Sequence, residues 1–320
     1  MPGALVPNSR WAARLETMRP FRQVDVFPAV DNDGSDPGCV GNALAVVHDA
    51  DGLTEDQMAA FARWTNLSET VFLQTPSDAA ADYRVRIWTT GGELPFAGHP
   101  TLGSAHAWLE AGGLPHSPDV IVQECTAGLV PIRRDPVMAF AAPPLQRSGP
   151  VDADLQVRVR QALAVEPSHV LDLAWIDNGP GWIGVELDSA ATVLAIEPSV
   201  PDFTDLKVAV IGRYAVEPVA QPAPDSLRLA TSAEEPHARP LVEVRAFYAD
   251  GRDFGEDPVT GSANAGLAQW LVGSGRLPTA YIASQGTRLQ RKGRVHVEAI
   301  DDDLWIGGAT VTRIVGEVDI

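Results

Sequence analysis

Two short segments carry the residue types best suited to proton chemistry: "GHPTLGSAH", from Gly98, and "DPVTGSANAG", from Asp257. Each sets a titratable side chain, His99 or Asp257, beside a proline and just ahead of Gly-Ser-Ala. Proline is favoured at the first position of a helix, where its missing N–H would have been unpaired, so Pro100 and Pro258 both mark expected helix starts. Small residues keep such a turn open, and its unpaired N–H groups and the helix dipole attract an anion. A small substrate that carries a carboxylate would fit such a pair of turns. Taken singly, either segment is also an ordinary helix start, because Asp is a common N-cap.

The elements around these segments recur as well. With "HPTLGSAHAWL" placed under "DPVTGSANAGL", Pro, Gly, Ser and Ala coincide and His99 falls opposite Asp257. "VRIW" at 85–88 and "VRAF" at 244–247 precede them at nearly the same distance, so an internal duplication is expected. Alternating runs such as "RQVDVF", "GNALAVV" and "YRVRIW" predict strands. "LTEDQMAAFARWTN" predicts a helix with a Thr54–Gln57 capping box, ended by Asn66. The expected division is an N-terminal extension over 1–20, a first domain over 21–140, a proline-rich linker over 141–150 and a second domain over 151–320 whose closing strands can pair with the first.

Composition narrows the function classes. Of 320 residues, 45% are hydrophobic and 21% charged, as in a soluble globular protein. Asp plus Glu total 42 against 24 Lys plus Arg, a formal charge of -18, which disfavours nucleic acid as a partner. No apolar run is long enough for a membrane span or has the form of a secretory signal, so the cytoplasm is expected. Cys39 and Cys125 form no CxxC pair, His99 and His106 lack ligand spacing and no GxGxxG follows a strand, so neither a metal nor a cofactor is expected. Both cysteines are read as packing residues. His48, His106 and His296 are read as surface or packing residues, and Trp175, Trp182, Trp270 and Trp305 as core.

The ordered set "RQVDVF", "GNALAVV", "NLSETVFL", "RIWTTGGELPFAGHPTLG", "GEDPVTGSA", "SQGTRLQRKGRV" and "IGGATVTRIVGEV" resembles the PhzF-like family of phenazine-biosynthesis proteins, relatives of diaminopimelate epimerase. The resemblance implies an α+β fold of two similar epimerase-like domains, related by a pseudo-twofold. Each would be a curved mixed sheet around a central helix, with the active site in the cleft between them. It also implies that Glu69, in "SET", is the catalytic acid-base, with His99 and Asp257 as partner groups and Gly98, Gly261 and Ser262 as substrate contacts. Asn42, in "GNALAVV", is read as a turn residue or a cleft-lining one. Gln285 and Arg291 match a family segment, with Arg291 tying closing strands or meeting substrate.

The resemblance implies a cofactor-independent isomerase that moves a proton on a small carboxylate-bearing substrate, and a homodimer. Such a base needs a pKa raised toward neutrality, which burial in an apolar cleft supplies. Ala43 and Thr90 stand where the family often has proline, which weakens the case for the phenazine-pathway isomerisation itself and leaves it as one reaction among several. The paired loops lack cysteine, which argues against a two-thiol racemase. Two alternatives stand beside this expectation: an epimerase or racemase of an amino- or hydroxy-acid derivative, and a non-catalytic small-molecule binding protein.

Overall fold

A computed structural model describes residues 17–30, 38–215, 239–250 and 253–320. The first sixteen residues, most of the expected extension, lie outside the described residues. The fold is α+β, and the chain divides into two compact units. The first comprises Met1–Pro28, Asn42–Ala141 and Gly307–Ile320, and the second Ala29–Gly41 and Ala142–Ile306.

In the first unit the strand Met18–Val26 pairs antiparallel with Thr310–Asp319 on one side and Asn42–Val47 on the other. Asn42–Val47 runs parallel to Glu69–Gln74, which pairs antiparallel with Tyr83–Trp88. Tyr83–Trp88 then lies parallel to Val120–Cys125, and antiparallel Gly128–Arg133 and Ala139–Ala141 follow. The helix Gly98–Glu110 packs against most of these strands. Its residues from Gly98 to Ala105 are all buried, as expected of a helix that is apolar or small all round. Gly103 permits the close approach: a Cβ there would come within 2.5 Å of Leu44 Cδ2. A second helix, Glu55–Thr65, has the expected capping box and ends at left-handed Asn66. It buries Met58 and Ala62 against Val47, Phe72 and Trp88.

The second unit follows the same succession of pairings. Arg147–Pro150, Val170–Asp177 and Ile183–Leu187 are antiparallel neighbours. Ile183–Leu187 runs parallel to Lys207–Arg213, which pairs antiparallel with Val242–Asp250. Val242–Asp250 lies parallel to Ala280–Gln285, and Gly293–Ile300 follows antiparallel. The helix Gly261–Gly273 is buried as deeply as its counterpart. At Gly266 a Cβ would overlap the Ile176 carbonyl. The helix Ala153–Leu163 contributes Val159, Ala162 and Leu163 to a core with Val185, Val208 and Phe247.

Three expectations need correction. Residues 18–20 are not extension but the start of a strand. The segment 141–150 is not a free linker, because Arg147–Pro150 finds ladder partners in Val170–Asp177 and Val151 enters the core. The units also interleave in sequence: the described residues 29–30 and 38–41 fall in the second unit rather than the first domain, whereas the closing strand Thr310–Asp319 pairs with Met18–Val26, as the expected division allows. Strand pairing decides such membership, and composition carries little trace of it.

Candidate active site

Three of the expected residues meet in the first unit. Asn42 and Glu69 begin the parallel strands Asn42–Val47 and Glu69–Gln74, in which Leu44 stands beside Glu69. His99 is the second residue of the helix Gly98–Glu110. Asn42 Nδ2 lies 3.4 Å from His99 Nδ1, and His99 Nε2 lies 3.2 Å from Glu69 Oε2. The latter contact is too poorly aligned to be a hydrogen bond. An amide NH2 only donates, so His99 Nδ1 accepts and the neutral ring carries its proton on Nε2, facing the carboxylate.

Burial reinforces that state. The His99 side chain is 4% exposed, and desolvation pushes its pKa down to about 3. Glu69, 16% exposed, keeps a path to solvent or to a ligand. A neutral imidazole beside a partly open carboxylate leaves that carboxylate as the group that can take up a proton.

The frame behind His99 is a buried polar network. Gln123 Oε1 accepts from Tyr83 Oη and Ser104 Oγ, each at 3.1 Å, while Gln123 Nε2 donates to Thr101 Oγ1 at 3.1 Å. Thr101 Oγ1 donates in turn to the Ala97 carbonyl, which fixes the first helical turn. Arg86, on the preceding strand, forms a two-point ion pair with Glu93.

In the second unit, Asp257 ends the strand Asp253–Asp257 and accepts from Thr260 Oγ1 at 2.6 Å. Buried Gln285 ties this loop to the helix: its Oε1 accepts from Thr260 N and Asn264 Nδ2, and its Nε2 donates to the Asp257 carbonyl and to Thr260 Oγ1. Gly261 opens the helix and Ser262 follows. The Ser262 hydroxyl accepts from Trp182 Nε1 at 3.0 Å, and its carbonyl from Asn178 Nδ2 at 2.9 Å. Arg245 makes a two-point pair with Glu256, as Arg86 does with Glu93. Neither helix start has a side-chain cap.

This geometry corrects the alignment of the two segments. The helices, each 13 residues long, begin at Gly98 and Gly261, so His99 corresponds to Ser262 rather than Asp257. In that register "GELP" at 92–95 meets "GEDP" at 255–258, and the ion-paired Glu93 and Glu256 coincide. Asp257 then stands opposite Leu94. Pro100 is the third helical residue and Pro258 precedes its helix by three, so neither is the first. Any first-turn N–H lacks an intrahelical partner, so proline is tolerated through that turn and does not fix its start.

Sequence reading missed Gln123, Thr260, Asn178 and Trp182, whose parts depend on long-range contacts; the one available signal was the recurrence of "GE-P" ahead of each helix. Gln285 was noticed without its role, and Arg291 donates to the Cys39 carbonyl at 2.7 Å. His48 and His106 are more than packing residues: they bond Arg22, and Thr310 and Thr312, respectively. Cys125 is buried, with its pKa raised by desolvation, whereas Cys39 is exposed, contrary to expectation. It lies in the turn that leads into Asn42–Val47, outside any packed element. Among the described residues no cluster of three or more His, Cys, Asp or Glu could hold a metal, and no helix is long and apolar enough to cross a membrane.

Comparison with known proteins agrees with the fold. Residues 34–316 match the family described as phenazine biosynthesis-like protein, PhzC-PhzF. A Schizosaccharomyces pombe protein named antisense-enhancing sequence 1 is 34% identical over 327 residues, covering 94% of this chain and 99% of that one. The trans-2,3-dihydro-3-hydroxyanthranilate isomerase of Pseudomonas aeruginosa is 33% identical over 190 residues, 57% of this chain and 65% of that one. The crystal structure of a PhzF-family protein from Enterococcus faecalis superposes with a TM-score of 0.70 at 22% identity, covering 95% of this chain and all of that one. The chain therefore belongs to the PhzC-PhzF family of phenazine biosynthesis-like proteins and is an isomerase.

Proposed function

We propose that the chain is a cofactor-independent isomerase in which Glu69 removes a proton from a carbon of a small carboxylate-bearing substrate and returns it at another. The observation that carries this is the chain of contacts from Asn42 through neutral His99 to the Glu69 carboxylate. Asn42 fixes the tautomer, His99 sets its Nε2 beside the Glu69 carboxylate, and Glu69 is the member open enough to meet a ligand. When the substrate's C–H bond breaks, the proton goes to Glu69 and the electron pair moves into the adjacent conjugated or carbonyl system. Reprotonation at the far carbon closes the cycle with no net redox change. The uncapped starts of Gly98–Glu110 and Gly261–Gly273, with Gly98, Gly261 and Ser262, suit the substrate carboxylate or the developing enolate. Asp257 is the second polar group assigned to the reaction.

The test is proton NMR in deuterated buffer. Its substrates are trans-2,3-dihydro-3-hydroxyanthranilate, named for a relative, and a panel of cyclic and acyclic amino- and hydroxy-carboxylates. Bond migration with deuterium incorporation that disappears in Glu69→Gln supports the isomerase. Exchange at a stereocentre without bond migration redirects it to an epimerase, and ligand line-broadening with no exchange in either protein overturns catalysis in favour of binding.

A further inference from the structure

The hydrogen bonds around Asp257 have a direction that the donor and acceptor chemistry forces. The Thr260 backbone N–H can only donate and faces one terminal atom of Gln285, which must be Oε1. The Asp257 carbonyl can only accept and faces the other, which must be Nε2. Gln285 Nε2 therefore spends its second hydrogen on Thr260 Oγ1, 2.9 Å away, and the hydroxyl has only its own proton left to give. Its remaining close partner is Asp257 Oδ2, at 2.6 Å. Asn264 pins the same orientation, since its Nδ2 donates both to the Thr260 carbonyl and to Gln285 Oε1.

Thr260 also declines the role its position offers. It is the N-cap of Gly261–Gly273, where a threonine hydroxyl ordinarily accepts a first-turn N–H. Thr54, Asp152 and Ser189 do so at the starts of their helices, and Thr260 does not. Its hydroxyl is turned to the carboxylate instead.

We propose that Thr260 is a positioning residue that holds Asp257 as an ionised, oriented carboxylate by donating its hydroxyl proton to Oδ2, with Gln285 setting the direction of that donation. This rests on the assignment of Asp257 to the reaction and gives both units one logic. In each, a buried primary amide orients an intermediate group, His99 or Thr260, whose proton faces a carboxylate.

The experiment is a carboxyl-13C titration of aspartate-labelled full-length protein, with the Asp257 resonance assigned through Asp257→Asn. A hydrogen bond to the charged form lowers a carboxyl pKa. Thr260→Val keeps the shape and removes the donor, so the Asp257 pKa is expected to rise by about one unit. Thr260→Ser is expected to restore it. An unchanged or lowered pKa in Thr260→Val, or a Thr260→Ser protein that behaves like Thr260→Val, would overturn the proposal. Where turnover is available, kcat/KM in Thr260→Val should fall with its acidic limb displaced to higher pH, and Thr260→Ser should recover both. The titration needs no substrate, so an absence of Glu69-dependent exchange would remove the proposed function while this result stood by itself.

Discussion

The starts of the helices Gly98–Glu110 and Gly261–Gly273 are alike in frame and different in chemistry. Each follows a hairpin locked by an Arg–Glu pair, opens on glycine without a side-chain cap and is tied down by a buried glutamine from the strand that follows the helix. Into this frame the first unit sets His99 beside a carboxylate from another strand, Glu69. The second sets Ser262 at the matching place and draws its carboxylate, Asp257, from its own hairpin through Thr260. The frame is a solution to backbone packing and tolerates either set. What the comparison teaches is that the residues shared by the two starts are supports, and those that differ are the ones to test for chemistry.

The largest effect should come from a residue that differs. Glu69→Gln is expected to lower turnover by about 10²–10⁴-fold, the range for losing a general acid-base, with the fold retained by circular dichroism. A comparable loss in Arg86→Leu would instead make the shared frame the chemically active part.

The shared pairs should differ in stability because they differ in burial. Arg245 and Glu256 are 4% and 10% exposed, whereas Arg86 and Glu93 are 18% and 26% exposed. Arg245→Leu leaves a buried carboxylate without its partner and should cost about 3–5 kcal/mol in urea unfolding. Arg86→Leu should cost about 1 kcal/mol, since water can screen Glu93. Equal costs would show that the two frames are energetically alike.

The helix glycines sharpen the contrast further. Gly266→Ala drives a methyl into the Ile176 carbonyl, backbone that cannot easily move, and should cost about 1–3 kcal/mol. Gly103→Ala meets only the side chains of Leu44 and Val26, which can adjust, and should cost less by the same unfolding measurement.

A further effect is one of pH. His99 titrates at about 3 in the folded chain and near 6.5 unfolded, so below pH 6.5 the unfolded state binds a proton that the native state refuses. Its contribution is fully present above pH 6.5 and is lost as pH falls, by up to about 1.4 kcal/mol per unit. Unfolding at pH 7.5, 6 and 5 should show a shallower loss for His99→Gln than for the parent chain. His48, held down to about 4 by burial and by Arg22, adds its own slope in both proteins.

Local signals were legible where local physics decides. The Thr54–Gln57 box and left-handed Asn66 bound their helix as the sequence predicts. Alternation located the strands around Asn42, Glu69 and Tyr83. The register of the two helix starts was not legible: "GSA" occurs in both segments, but in the first it lies a turn and a half inside the helix and in the second it opens it. Short, small-residue strings match by composition, whereas the Arg–Glu pairs that fix the register span a hairpin.

By itself, the sequence determined the α+β class, the order of most elements and, through resemblance, Glu69, His99 and Asp257 as groups of interest. The tertiary structure alone decided that Asn42 meets His99, that Gln123 and Gln285 hold the helix starts and that Thr260 turns to Asp257 rather than capping its helix. The reason is physical. Propensity and periodicity act over a few neighbouring residues, while a hydrogen bond between residues far apart in sequence forms only when the sheet has folded and buried groups must find partners or lose their hydration uncompensated.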